Sequence, residues 1–122
     1  RMLELFFADR RFILARGVDE MYANRAAAGA DAAIKAIGAS AFTRDGQHEA
    51  YLDQLSKLES PVLVVWGERD SVVPPPHAAA ASSALPTSWL EIIEGAGHVP
   101  QVEAAPAFTG VVNRWITALP RS

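Results

Sequence analysis

The stretch Pro61–Gln101, PVLVVWGERDSVVPPPHAAAASSALPTSWLEIIEGAGHVPQ, decides how this chain folds. Val62 to Trp66 is an unbroken apolar run rich in β-branched residues, with Pro61 before it and Gly67 after it. Such a run predicts a strand covered on both faces, as in a parallel sheet. Trp89 to Ile93 is the next strand candidate and ends at Glu94-Gly95-Ala96-Gly97. Between them, Pro74 to Ala84 places four alanines after three prolines and a histidine, which predicts a helix with its prolines in the first turn. A strand, helix, strand unit closes by a right-handed crossover, so the two strands run parallel and end on the same edge.

Two polar residues lie just beyond those ends, Asp70 after the first strand and His98 after the second. Neighbouring parallel strands are about 4.8 Å apart, so loops leaving one edge can bring a carboxylate to an imidazole. That pairing is the acid and base half of a nucleophilic triad. The carboxylate orients the ring, and the ring takes a proton from a hydroxyl nucleophile. Gly95 and Gly97 allow the backbone to turn sharply ahead of the histidine.

At these residues the chain resembles the carboxyl-terminal part of the α/β-hydrolase fold family. The resemblance rests on the strand ending in Trp66-Gly67, the step Gly67-Glu68-Arg69-Asp70, the pair Val73-Pro74, and Gly95-Ala96-Gly97-His98 followed by Glu103. It covers roughly the last 65 residues of the 122 well and the remainder loosely. The resemblance implies that Asp70 is the triad acid and His98 the general base. The interval of 98 − 70 = 28 residues suits one helix and one strand.

With 122 residues, half of them hydrophobic, the chain can bury one core. Its 11 basic and 14 acidic residues are well mixed, so no basic stripe for nucleic acid is evident. No cysteine is present, which excludes disulfides and thiolate chemistry. No apolar run approaches the ~20 residues that span a bilayer. The expectation is a cytoplasmic protein without a membrane or nucleic-acid partner and without a cofactor.

The first sixty residues read as mostly helical. Met2 to Phe7 predicts a short helix, followed by a turn and a second apolar segment at Phe12, Ile13 and Leu14. Gly17 to Ala28 carries Val18, Met21 and Tyr22 on one helical face and stops at Gly29. Asp31 then caps a helix whose face bears Ile34, Ile37 and Ala41. Thr43 to Gln47 predicts a turn around Asp45-Gly46, and His48 to Leu58 a helix with Tyr51, Leu52, Leu55 and Leu58 at helical spacing. A final helix starts near Pro106, presents Phe108, Val111, Val112, Trp115, Ile116 and Leu119, and ends before Pro120. The fold class expected is α/β, a partial α/β-hydrolase fold. Residues 1–58 form a helical, cap-like region and residues 59–122 a strand-helix-strand-helix segment of one incomplete domain. The resemblance implies that cap residues line a substrate pocket, for which Phe6, Phe7, Phe12 and Met21 are candidates, although helical spacing equally suits core positions.

A complete member of the family uses a serine on a strained strand-to-helix turn, usually Gly-x-Ser-x-Gly, together with an oxyanion hole. Gly38-Ala39-Ser40-Ala41-Phe42 imitates that motif, but helical sequence precedes Ser40, Phe42 replaces the last glycine, and too few residues separate it from Asp70. Ser40 is rejected as a nucleophile. His48 and His77 show no metal-ligand spacing. Arg69 reads as a surface charge.

The expected function is therefore that of the carboxyl-terminal part of a serine-type hydrolase, acting on a small-molecule ester, thioester or related acyl bond. Alone, the chain is expected to be inactive. The run Gly95 to His98 with Gln101 and Glu103-Ala104-Ala105 also resembles the hydrolase-like domain of acetoin dehydrogenase acyltransferase subunits. A third reading is a non-catalytic module for binding or oligomerisation. Two strands make a poor sheet, so self-association or pairing with an amino-terminal half is expected.

Overall fold

The computed structural model describes residues 3–43, 46–47 and 52–120. The expectations at Met2, Asp45, His48 and Tyr51, and the last two residues of the tail, lie outside the described residues. The chain divides into two compact units, one made of Arg1–Ile13 with Leu52–Ser122, the other of Leu14–Tyr51.

The first unit is built on two parallel strands, β3 (Val62–Gly67) and β4 (Ser88–Ile93), in register from Val62 opposite Ser88 to Gly67 opposite Ile93. Helix α5 (Pro76–Ala84) connects them, with Pro76 in its first turn, where a missing N–H costs no helical hydrogen bond. The long helix α7 (Ala105–Ala118) also packs on both strands, and the short helix α6 (Pro100–Glu103) packs on β3 and α7. The remaining elements of this unit are α1 (Leu3–Phe6), a 3-10 turn at Arg10–Phe12, and α4 (Leu52–Leu55).

The core gathers at Ala78 of α5, Leu85 after it, Ile93 at the end of β4, Ala96 in the following loop and Val111 of α7. The strand β3 was expected to be covered on both faces, yet only Gly67 is buried and Val62 to Trp66 are half-buried. The reason lies in its neighbours, because β3 pairs only with β4 among the described residues. The even-numbered residues point their backbone groups toward β4, as the Val62 N–H to Thr87 carbonyl bond and the Glu68 N–H to Ile93 carbonyl bond show. By alternation, Leu63 and Val65 turn theirs to the open edge. The expected α7 face is also only partly covered, since Ile116 is exposed.

The second unit contains α2 (Ala15–Ala26) and α3 (Ala30–Ala41), with Gly29 between them at φ 84°. The helix expected over Gly17 to Ala28 ends earlier, at Ala26, where Ala27 turns to extended backbone, and the left-handed conformation of Gly29, which strains any residue with a Cβ, serves the link to α3. Asp31 does not cap α3 as expected. The helix begins one residue earlier, and Asp31 sits in its first turn, paired with Arg25 at 3.2 Å. Tyr22, Ile34 and Ile37, expected on packed faces, are exposed. Two short antiparallel strands, β1 (Phe42–Thr43) and β2 (Gly46–Gln47), take in Thr43, Gly46 and Gln47 of the expected turn, and residues 44 and 45 lie outside the described residues.

Candidate functional site

The site lies where β3 and β4 end. Beyond the strands the two chain segments stay joined by backbone hydrogen bonds, Glu68 N–H to the Ile93 carbonyl at 3.0 Å and Arg69 N–H to the Ala96 carbonyl at 2.8 Å. The ladder thus continues into the loops and fixes Asp70 relative to His98. The close approach requires glycine, because a Cβ on Gly67 would fall on the Gly97 carbonyl.

Asp70 and His98 meet there: His98 Nδ1 lies 2.8 Å from Asp70 Oδ2. The other carboxylate oxygen, Oδ1, accepts the backbone N–H groups of Val72 and Val73, each at 2.9 Å. The Asp70 side chain is 3% exposed and that of His98 is 30% exposed. Burial pushes the Asp70 carboxyl up, but the N–H of Val73, the His98 ring and the N–H of Val72 more than offset it, holding the group below the usual carboxylate range. An ionised carboxylate only accepts, so Nδ1 carries a proton, and in the neutral imidazole the lone pair is then on Nε2. A ring in that state takes a proton through Nε2 and becomes an imidazolium facing a fixed negative charge.

The turn carrying Asp70 is braced by Trp66, whose indole N–H donates to the Val73 carbonyl at 2.9 Å. In the loop carrying His98, the four N–H groups from Gly95 to His98 each have an acceptor. Gly95 N–H, at φ 73°, donates to Glu68 Oε2 at 3.0 Å, and Ala96 N–H to the Ile93 carbonyl at 3.4 Å. Gly97 N–H donates to Glu103 Oε1 at 2.8 Å, and His98 N–H to the Phe6 carbonyl at 2.9 Å.

A cavity of about 170 Å³ opens beside the pair, lined by Asp70 and His98 with Trp66, Gln101 and Phe108 among others. Of the aromatic residues expected to line a pocket, Phe6 stands edge-on to the His98 ring at 5.2 Å between centroids, and Phe7 stacks with Phe12 at 6.4 Å. Met21 belongs to the second unit. Phe108, read in the sequence as part of a sheet-facing helix stripe, is instead part of the cavity wall. Ser40 lies inside α3 and donates to the Ile37 carbonyl at 3.0 Å, which is no strand-to-helix turn. His77 is exposed in the first turn of α5, and Arg69 is exposed beside Asp70. Among the described residues no three His, Asp or Glu side chains gather as a metal site requires.

A profile of the family described as alpha/beta hydrolase fold matches residues 3–105. This chain belongs to that family. Over 113 residues it is 30% identical to the dihydrolipoyllysine-residue acetyltransferase component of the acetoin cleaving system of Cupriavidus necator, a match covering 93% of this chain and 29% of that protein. An alpha/beta hydrolase enzyme from the sediment metagenome of the Mar Chica lagoon, Morocco, superimposes with a TM-score of 0.67 at 27% identity, over 82% of this chain and 43% of that one. A serine hydrolase involved in carbazole degradation shares the fold at a TM-score of 0.78 and 20% identity, over 97% of this chain and 45% of that one. The chain therefore spans less than half the length of the α/β-hydrolases it matches. Among the described residues no helix is long and apolar enough to cross a membrane.

Proposed function

We propose that this chain supplies the acid and base of a serine-type acyl hydrolase, with Asp70 as the orienting carboxylate and His98 as the general base. The observation that carries this reading is the 2.8 Å contact between His98 Nδ1 and the buried Asp70 carboxylate, itself held by two backbone N–H groups. His98 Nε2 takes the proton of a serine hydroxyl as that oxygen attacks the carbonyl of an ester or thioester, then returns it to the leaving group. None of the described serines is read as the nucleophile, which the complete enzyme supplies from another segment. The test is hydrolysis of a short-chain p-nitrophenyl ester by the full-length gene product. His98→Ala and Asp70→Asn are each expected to lower kcat by about 10⁴-fold, on the scale of other triads. Unchanged rates in both variants would overturn the reading.

The similarity to the acetoin-system component favours a second reading, acyl transfer to a thiol in place of water. Both use the same pair, and product analysis with an added dithiol acceptor separates them. The open edge of β3 further supports pairing with another strand, from an amino-terminal half or from a second copy of the chain.

A further inference from the structure

Glu103 takes no part in the chemistry described above, yet both of its carboxylate oxygens are engaged near His98. Oε1 accepts the N–H of Gly97, the residue preceding the histidine, at 2.8 Å. Oε2 accepts the N–H of Ala8 at 2.7 Å and that of Asp9 at 3.3 Å. The segment so held brings the Phe6 carbonyl to the His98 N–H at 2.9 Å and the Phe6 ring against the imidazole. The packing leaves no room for adjustment at Gly97, where a Cβ would lie 2.6 Å from Ala8 N and 3.0 Å from the Phe6 carbonyl oxygen.

From this arrangement we infer that Glu103 is a positioning residue for His98, a carboxylate clamp that locks the histidine loop to the segment Phe6–Asp9 and so sets the imidazole against Asp70. The inference rests on the proposed role of His98 for its kinetic consequence, but its geometry stands independently of catalysis. The chemistry is specific to a carboxylate. Two sets of donors approach from two sides, and each oxygen must accept. A glutamine offers one oxygen and one NH2 group, so it sets a donor against either Gly97 or Ala8. Isosteric replacement therefore opens one jaw of the clamp.

The experiment compares Glu103→Gln, Glu103→Ala and the half-buried control Glu91→Gln, whose carboxylate meets Arg114 at 3.3 Å away from His98. The full-length protein is used for each. Proton NMR reads the far-downfield Nδ1–H resonance of His98 bonded to Asp70. Circular dichroism reads the fold, and ester kinetics separate kcat from KM. We expect both Glu103 variants to lose or broaden that resonance with secondary structure retained, and kcat to fall about 10- to 100-fold, the scale of a misplacement near 1 Å, with KM little changed. Glu91→Gln leaves all three readouts in place. Retention of the resonance and of kcat in Glu103→Gln overturns the inference. Amide hydrogen exchange on the unsubstituted protein decides the matter even where a variant fails to fold: Gly97 and Ala8 should be protected together, and free exchange at either overturns the clamp. Loss of the resonance without a change in rate would leave the clamp standing and refute instead the catalytic role of His98.

Discussion

Gly67 and Gly97 meet back to back where the two parallel strands pass into loops, so closely that a Cβ on the first would collide with the carbonyl of the second. The obstacle is backbone, which cannot rotate away as a side chain would. Gly67→Ala is therefore expected to destabilise the protein by about 3 kcal/mol, the upper end of overpacking costs. Gly38, inside α3 with nothing within 4 Å of its would-be Cβ, predicts the opposite sign. Gly38→Ala should stabilise by about 0.5–1 kcal/mol. Urea midpoints of the two variants check both signs.

The Asp70 carboxyl is held below the usual carboxylate range in the folded protein, its burial being outweighed by the Val73 N–H, the His98 ring and the Val72 N–H. A depressed carboxylate pKa contributes stability above the unfolded value, and that contribution is lost as pH falls through the folded value. The unsubstituted protein should therefore lose stability as pH drops below about 4, through protonation of this group among others. Asp70→Asn cannot lose this part. Unfolding free energies measured from pH 6 to pH 2 are expected to converge between the two proteins at the acid end.

Trp66→Phe removes the indole N–H that braces the Val73 carbonyl while leaving an aromatic ring in place. The expected loss is about 1 kcal/mol from the hydrogen bond, with a further cost from the smaller ring. Because Val73 N–H also holds Asp70, the His98 Nδ1–H resonance should exchange faster with solvent in this variant. Chemical denaturation and NMR measure the two effects separately.

Leu63 directs its backbone N–H to the open edge of β3, so a proline there spares the ladder to β4. If strands pair across this edge, Leu63→Pro should abolish concentration-dependent growth of the mass seen by light scattering. The parallel register with β4 should persist. A self-associating Leu63→Pro protein would place the contact elsewhere.

The strand, helix, strand unit was legible because each of its signals is local: a β-branched run, prolines then alanines, glycines at the end. The approach of Asp70 to His98 followed from crossover geometry, and the structure brings the two into contact. The half-covered state of β3 was not legible, since burial depends on which neighbours are present rather than on the strand's own residues. Ile34 and Ile37 mark the same limit in a helix, where spacing identifies a face but not what covers it. Glu103 was visible only as one residue of a motif. Its partners Ala8 and Asp9 act through backbone N–H groups, which leave no trace in side-chain identity, and they stand more than ninety positions away. Five residues after the histidine, a lone acid on a short helix was the single available signal.

The bond from Ala8 to Glu103 spans 95 positions. At translation rates of about 5–20 residues per second, Ala8 waits roughly 5–20 s on a growing chain before its acceptor is even made. The surroundings of His98 thus cannot close until residue 103 has been made. Residues 8 and 103 must reach each other before the histidine is set, and a nascent chain stopped between residues 98 and 103 would carry both acid and base without the carboxylate that seats the base.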